Sequence, residues 1–383
     1  MKNRIVTIIG LFALLSTASA AGPKADFNVI PVPRTICAGT SAPFVLDSNT
    51  KIYYEEGQKR NAAFLQQYIT DITGIVPELT DRPRKRGTIS LRVKDTSSDA
   101  EGYTLTVDKK NIHIVGNSPA GVFYAIQTLR KALPAGQASE VEIPSCIVED
   151  SPRFAYRGVH LDVVRHFFPV DSVKRYIDII ALHNVNRFHW HLTDDQGWRV
   201  EIKSRPRLTS VGAYRKQTAG DGTPHGGFYT QDEIRDIIRY AQERYITIIP
   251  EIDIPGHSAA ALASYPEIGC TGGPYEVCEV WGGPADVLCA GKDETMQFLQ
   301  DVFTEIAGLF PSQYIHIGGD ECPKQRWKEC RACQAKIKEL GIVPDKKHSA
   351  EQKLQSYVMV SVEKFLAAKG RKVIGWDEIL EGG

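Results

Sequence analysis

The sequence predicts an α/β fold: a (β/α)8 TIM barrel, with about five of its eight strands legible, preceded by a small α+β domain. Three observations carry this. From Phe154 onward, short apolar runs alternate with amphipathic stretches, which is the rhythm of strand and helix in a parallel sheet. Polar residues recur where each run ends: Asp162 and Arg165, His191 and Asp194, Glu251 and Asp253, Asp320 and Glu321, Trp376 with Glu378. An open sheet concentrates ligand contacts at one crevice, whereas a barrel gathers them from many strand ends, so this distribution favours the barrel. Before Phe154 the texture differs, with short β-rich runs and no strict alternation with helices.

The elements follow in order. Residues 1–20 carry Lys2 and Arg4, an apolar run from Ile5 to Leu15, and then Ala18-Ser19-Ala20, the layout of a secretory signal cleaved after Ala20. The run is too short to span a bilayer, no Cys follows it closely, and no later segment is long and apolar enough to cross a membrane. The expectation is a soluble exported protein, periplasmic or extracellular, without stable membrane insertion. Residues 21–150 form the α+β domain: TISLRV, YTLTV and IHIVG read as strands, and Pro119 to Leu133 as a helix.

Residues 151–383 form the barrel domain. GVHLDV, RFHWHL, TIIPEID, YIHIGG and VIGWDEI are its strands. Val173, Tyr176, Ile177 and Ile180 share one helical face, with Asp171 expected as N-cap. Thr230-Gln231-Asp232-Glu233 is a capping-box pattern ahead of Ile234, Ile237, Ile238 and Ala241. Leu299, Val302, Phe303 and Ile306 mark a third helix, and Leu354, Tyr357, Val358 and Phe365 a later one. A barrel needs eight strands, so the expectation is that these 383 residues belong to a longer protein.

Equal numbers of basic and acidic residues, 46 of each, give no field that would select nucleic acid or an anionic membrane, and fit a neutral or small polar ligand better. Eight cysteines in an exported chain make disulfides plausible. Cys270, Cys278 and Cys289 lie in one Gly-rich loop and Cys322, Cys330 and Cys333 in another. Cys330-Arg331-Ala332-Cys333 has the spacing of half a zinc site, but no second CxxC or HxxxH accompanies it. Disulfides or structural thiols therefore rank first, with Cys270 and Cys289 a pair that would staple one loop, and a metal a distant second.

Four polar constellations could carry chemistry. In FHWHLTDDQGW, His189 and His191 share one strand face and could ligate a metal, but packed, hydrogen-bonded interior is the better reading; Asp194 and Asp195 lie past the strand. EIDIPGHS places His257 after a Pro-Gly turn, near Asp253, where it either caps a helix or tunes a neighbouring acid. RGVHLDVVRHFF contributes Arg165, equally ready to ion-pair with Asp162 or to hold vicinal hydroxyls with its donor fork. GGDE puts Asp320 beside Glu321, which could be a solvent-facing strand end, a hard-cation site, or acid/base machinery in which a neighbouring carboxylate and burial raise one pKa. Trp190, Trp198, Trp327 and Trp376 lie near the strand ends, and aromatic rings with carboxylates suit a sugar substrate. Two catalytic carboxyls flanking a glycosidic bond stand apart, however, and adjacent acids fit that scheme badly.

RGVHLDVVRHFF, FHWHLTDDQGWR, IPEIDIPGH, HIGGDE and GWDEI, in this order, closely resemble the family 20 glycoside hydrolases, the β-N-acetylhexosaminidases, over nearly all of the chain after its leader. The resemblance implies substrate-assisted hydrolysis, in which the substrate's own 2-acetamido oxygen attacks the anomeric carbon. It makes Glu321 the general acid/base and Asp320 the residue that orients the acetamido group. It assigns Arg165 and Asp194 to the hydroxyls of the terminal sugar, His257 and Asp253 to the network behind the acid/base, and Trp376 to one wall of the acetamido pocket. The family's later strands add a Tyr and further Trp walls, none of them among these 383 residues, so the piece alone is expected to show weak activity or none.

The resulting expectation is exo-acting removal of terminal β-linked GlcNAc or GalNAc, with a carbohydrate as partner and no cofactor or metal. A non-catalytic glycan-binding relative would keep Arg165 and Trp376 but lose the acid pair; a metal-dependent amidohydrolase would need further ligands. Nothing in the sequence specifies an oligomer.

Overall fold

The computed structural model describes residues 22–94, 99–283 and 285–383, so the leader expected at residues 1–20 lies outside the described residues. The chain divides into two compact units, Met1–Ser151 and Pro152–Gly383.

The first unit is built on a seven-stranded mixed sheet, in the order Thr35–Ala38, Cys146–Asp150, Tyr103–Val107, Asn111–Gly116, Thr88–Val93, Lys51–Tyr54 and Glu78–Thr80. The alternation in YTLTV puts Tyr103, Leu105 and Val107 inside, and Ile112 and Ile114 of the next strand join them. Two helices, Lys59–Thr73 and Pro119–Ala132, bury Leu65, Ile69, Val122 and Phe123. The second helix starts on Ser118, whose hydroxyl accepts from the Ala120 N–H at 3.1 Å. The helix Lys59–Thr73 lies outside the expected set of elements; it ends at Gly74, whose φ of 78° is the left-handed cap that glycine adopts readily.

The second unit holds five parallel strands: β1 (Gly158–Asp162), β2 (Arg187–His191), β3 (Thr247–Ile254), β4 (Tyr314–Gly318) and β5 (Lys372–Ile374). They neighbour one another in chain order, with none of the order reversal that defines a doubly wound sheet. Helices α1 (Val170–Leu182), α2 (Gln231–Gln242), α3 (Asp293–Leu309), α4 (Arg331–Glu339) and α5 (Ala350–Ala368) fall between them. This is the strand-and-helix succession of a (β/α)8 barrel. The capping box of α2 is present, with Thr230 and Glu233 bonding each other's backbone N–H. The N-cap of α1 is Pro169 rather than Asp171, which sits inside the first turn where its charge faces the positive end of the helix dipole.

Strand pleating sorts the site from the core. Phe188 and Trp190 of β2, Ile252 and Ile254 of β3, and Ile315 and Ile317 of β4 are buried on the outer face. The alternate positions, His189 and His191, Glu251 and Asp253, His316 and Gly318, form the opposite face. No helix among the described residues is long and apolar enough to cross a membrane.

Candidate active site

The register places His191, Glu251 and His316 side by side on β2, β3 and β4, and a buried cluster forms around the middle one. Glu251 is fully buried, with His191 Nδ1 at 2.7 Å, His189 Nε2 at 2.8 Å, His316 Nδ1 at 3.0 Å and His160 Nε2 at 3.7 Å. Trp376 Nε1 donates to its other face, 3.0 Å from Oε1. Burial alone would raise the Glu251 pKa, but the surrounding imidazoles outweigh it and hold the carboxyl far below the usual carboxylate range.

His191 then carries the charge onward. Its Nε2 lies 2.8 Å from Asp194 Oδ2 while its Nδ1 faces Glu251, so both ring nitrogens meet carboxylates. Burial works against protonation, yet the bonds to Asp194 and Glu251 push its pKa well above the usual value, and both ring nitrogens are placed to donate. Asp194 is buried with both oxygens taken: Oδ1 by the Asp195 N–H and His257 Nδ1 (2.6 and 3.0 Å), Oδ2 by His191 and Arg165 (2.8 and 2.7 Å). Its burial penalty is overcome by the hydrogen bonds from His191 and His257, and its pKa is depressed.

His257 is the next link. Its pKa is pushed up to about 10: burial opposes the charge, and the hydrogen bond to Asp194 with the nearby charges of Asp194, Asp253 and Asp195 overrides it. Its Nε2 points between the two adjacent acids, 3.5 Å from Asp320 Oδ2 and 3.6 Å from Glu321 Oε2, and has no hydrogen-bond partner among the described residues. The two acids differ in setting. The Glu321 side chain is 73% exposed and that of Asp320 22%, so one faces the open mouth and the other the wall. Burial raises the Asp320 pKa, with the charge of His257 pulling the other way.

The backbone here is held in uncommon conformations. His257 and Glu321 have φ of 48° and 47°, left-handed values that cost a non-glycine residue about 1–3 kcal/mol and cluster at functional sites. The first glycine of GGDE is required sterically as well: φ at Gly318 is 64°, and a Cβ there would lie 1.6 Å from the Asp253 carboxylate. That carboxylate accepts the Gly319 N–H at 3.3 Å and is buried, so its pKa rises well above normal, first through burial and then through the charge of Asp320.

Each residue singled out in the sequence thus has a place. Asp320, Glu321, His257 and Asp194 form one connected group. Asp253 is a buried carboxyl beside it, while the hydrogen-bonded partner of His257 is Asp194. Asp194, expected at the sugar hydroxyls, stands behind His257 with no oxygen left over. Arg165 donates to Asp162 at 3.0 Å and Gln196 at 3.1 Å besides its pair with Asp194, so its ion pairs and its place at the strand ends coexist. Its guanidinium also lies 5.3 Å from the ring of Trp281, an exposed residue that the sequence did not single out. Trp376 is about a third exposed, its ring 4.9 Å from that of His316 and 5.6 Å from that of His189.

Glu251 and His316 are the residues that strand-end reasoning undervalued. The available signal was parity: His189, His191, Glu251 and His316 all occupy the strand face opposite the bulky apolar residues. His189 and His191 both lie beside Glu251, and His191 is hydrogen-bonded to Glu251 and Asp194.

Fold and site together define a barrel that gathers carboxylates, imidazoles and indoles at the carboxyl ends of its strands. Residues 154–383 match the family model "Glycosyl hydrolase family 20, catalytic domain", and residues 26–151 match "Glycosyl hydrolase family 20, domain 2". The chain belongs to this family. It is 43% identical over 378 residues to a β-hexosaminidase of Porphyromonas gingivalis, covering 93% of this chain and 46% of that protein. A β-hexosaminidase of Vibrio furnissii is 37% identical over 374 residues, covering 94% and 59%. The chain therefore spans about half the length of the curated relatives it matches. Among solved structures, the exo β-N-acetylglucosaminidase of Vibrio harveyi in complex with N-acetylglucosamine aligns with a TM-score of 0.81 at 34% identity, over 94% of this chain and 56% of that one. A Streptomyces plicatus β-hexosaminidase in complex with GlcNAc aligns with a TM-score of 0.79 at 34% identity, over 93% and 66%.

Proposed function

We propose that the intact protein is an exo-acting β-N-acetylhexosaminidase that removes terminal, non-reducing β-linked GlcNAc or GalNAc by a retaining, substrate-assisted route. The observation that carries this reading is the arrangement at GGDE: two adjacent carboxyls, one open and one enclosed, with the charged His257 aimed between them. Adjacent acids suit a mechanism in which the substrate supplies its own nucleophile. Glu321, at the open mouth, donates a proton to the leaving oxygen. The His257 imidazolium, fixed by Asp194, favours the carboxylate that this leaves behind. Asp320, against the wall, accepts the acetamido N–H and stabilises the positive charge of the oxazolinium intermediate. Glu321 then takes a proton from the water that opens the intermediate, and two inversions give retention.

Arg165 and Trp376 complete the reading as a hydroxyl donor and a wall beside the acetamido methyl. The Vibrio harveyi and Streptomyces plicatus structures named above, both in complex with GlcNAc, support the sugar class. The charged and apolar leader supports export, to the periplasm or beyond.

The test uses the intact protein and an aryl β-GlcNAc substrate. Glu321→Gln is expected to lower kcat about 10²–10⁴-fold, the range for a lost general acid, with GlcNAc binding retained. Asp320→Asn should cost about 10²–10³-fold, as for a lost charge-stabilising contact. Near-normal turnover in Glu321→Gln would sink the assignment, and a wild-type protein that binds GlcNAc without cleaving the substrate would make this a binding module.

A further inference from the structure

Away from the acid pair, four cysteines from two loops meet at one point. The Sγ atoms of Cys270, Cys289, Cys330 and Cys333 all lie within 4.8 Å of one another. Cys289 is 3.6 Å from Cys330 and 3.5 Å from Cys333, and Cys333 is 3.9 Å from Cys270. We propose that these four thiolates are the ligands of a structural zinc ion, joining the loop after β3 to the start of α4 after β4.

Three features support the assignment. The first is geometry. A zinc ion about 2.3 Å from four sulfurs sets them at the corners of a tetrahedron with edges of ~3.8 Å. These three Sγ separations, 3.5–3.9 Å, bracket that edge, and the other pairs lie within 4.8 Å. A disulfide requires the sulfurs to close to ~2.0 Å in exclusive pairs. Here Cys289 faces both Cys330 and Cys333, and Cys333 faces both Cys289 and Cys270, which is the pattern of a shared centre.

The second feature is how the backbone presents the thiols. An isolated antiparallel bridge between Gly269 and Leu288 ties the two segments together, with Cys270 and Cys289 each one residue beyond it. Cys330 is the N-cap residue of the nine-residue α4, and Cys333 lies in its first turn, where the helix dipole favours negative charge. The approach is so close that a Cβ on Gly291 would lie 2.2 Å from the Ala332 carbonyl, so the strand of chain after Cys289 is pressed against this turn. The missing half of the zinc motif is thus supplied by tertiary structure, from two cysteines 19 residues apart (289 − 270) rather than from a second CxxC.

The third is electrostatic. Cys289 and Cys333 are buried, and a centre of four sulfur donors is a set that suits zinc. Binding exchanges protons for metal: Zn²⁺ displaces four thiol protons and leaves a centre of net charge −2, with no electron transferred and no oxidant needed. Lys292, whose ammonium holds the carbonyl oxygens of Glu267 and Gly269 at 2.8 and 2.7 Å, brings a positive charge to the same loop.

The experiment is a metal and thiol inventory of the intact protein, produced in zinc-containing medium and recovered from the compartment to which it is exported. The expected result is about one zinc per chain, an X-ray absorption spectrum of four sulfurs at ~2.3 Å, and zinc release on titration of the thiols with a mercurial. Cys330→Ser and Cys333→Ser should lose the zinc, while Cys37→Ser, in the other unit, should keep it. Peptide mapping that finds these four cysteines in two disulfides, or as free thiols without metal, would overturn the proposal. Because the first measurement is made on wild-type protein, it stands even if the serine variants fail to fold.

Discussion

The two units solve the problem of burial in opposite ways. In the first, the buried polar side chains among the described residues are Thr50, Gln58, Asn61, Thr73, Thr88, Ser90, Gln127 and Thr128, all neutral. In the second, His191, Asp194, Asp195, Arg199, Arg215, Arg244, Glu251, Asp253, His316 and Glu351 are all buried. An apolar core is stabilised by area removed from water, with each side chain contributing nearly independently. A charged interior persists only as a network, because each ion is tolerable only while its partners remain. The lesson is that the second unit concentrates its fragility where its chemistry would occur, while the first is an ordinary scaffold.

The sharpest way to break that contrast is at the hub. Glu251→Ala removes the shared partner of His189, His191, His316 and Trp376, and should cost about 3–5 kcal/mol in urea denaturation of the second unit, as for a broken buried ion pair. A cost below about 1 kcal/mol would mean that the histidines are held by packing alone. The matched probe in the first unit is Leu105→Ala, a fully buried strand residue, expected at about 2–5 kcal/mol from lost transfer and cavity terms. The two differ in pH dependence more than in size: the Leu105 cost should be flat with pH.

Asp194→Asn sharpens the same point through pH. The folded-state pKa of His257 is raised to about 10, so its contribution is fully present below the unfolded value near 6.5 and is lost as pH climbs through 10. Asp194 is depressed, so its contribution is present above the ordinary Asp value and is lost as pH falls below it. The stability gap between wild type and Asp194→Asn should therefore be widest between about pH 4 and 6.5 and shrink on both sides, which denaturation curves across that range would show. A constant gap would detach Asp194 from His257.

The smallest expected effects are at the helix caps, where the two units should behave alike. Ser118→Ala in the first and Thr230→Ala in the second should each cost about 1 kcal/mol by thermal or urea unfolding. If the Thr230 variant costs much more, its capping box is coupled to the network and the contrast between units extends beyond the strand ends.

Much of this was legible along the chain. The strand runs, the helices around Ile234 and Val302, and the capping box at Thr230 follow from periodicity and end chemistry, both local properties. The acid pair, Arg165, His257 and Trp376 were legible because a parallel barrel leaves polar residues at strand ends, where packing does not call for them. Three matters depended on tertiary structure. Whether His257 bonds Asp194 or Asp253 turns on side-chain direction at the end of β3, which composition does not encode. The Glu251 cluster depends on the register of β2, β3 and β4, a cross-strand relation set only when the sheet pairs. The four-cysteine cluster joins loops whose spacing in sequence matches no motif. Pattern along one chain records which face a side chain takes; which other side chain it meets is decided when separate elements pack.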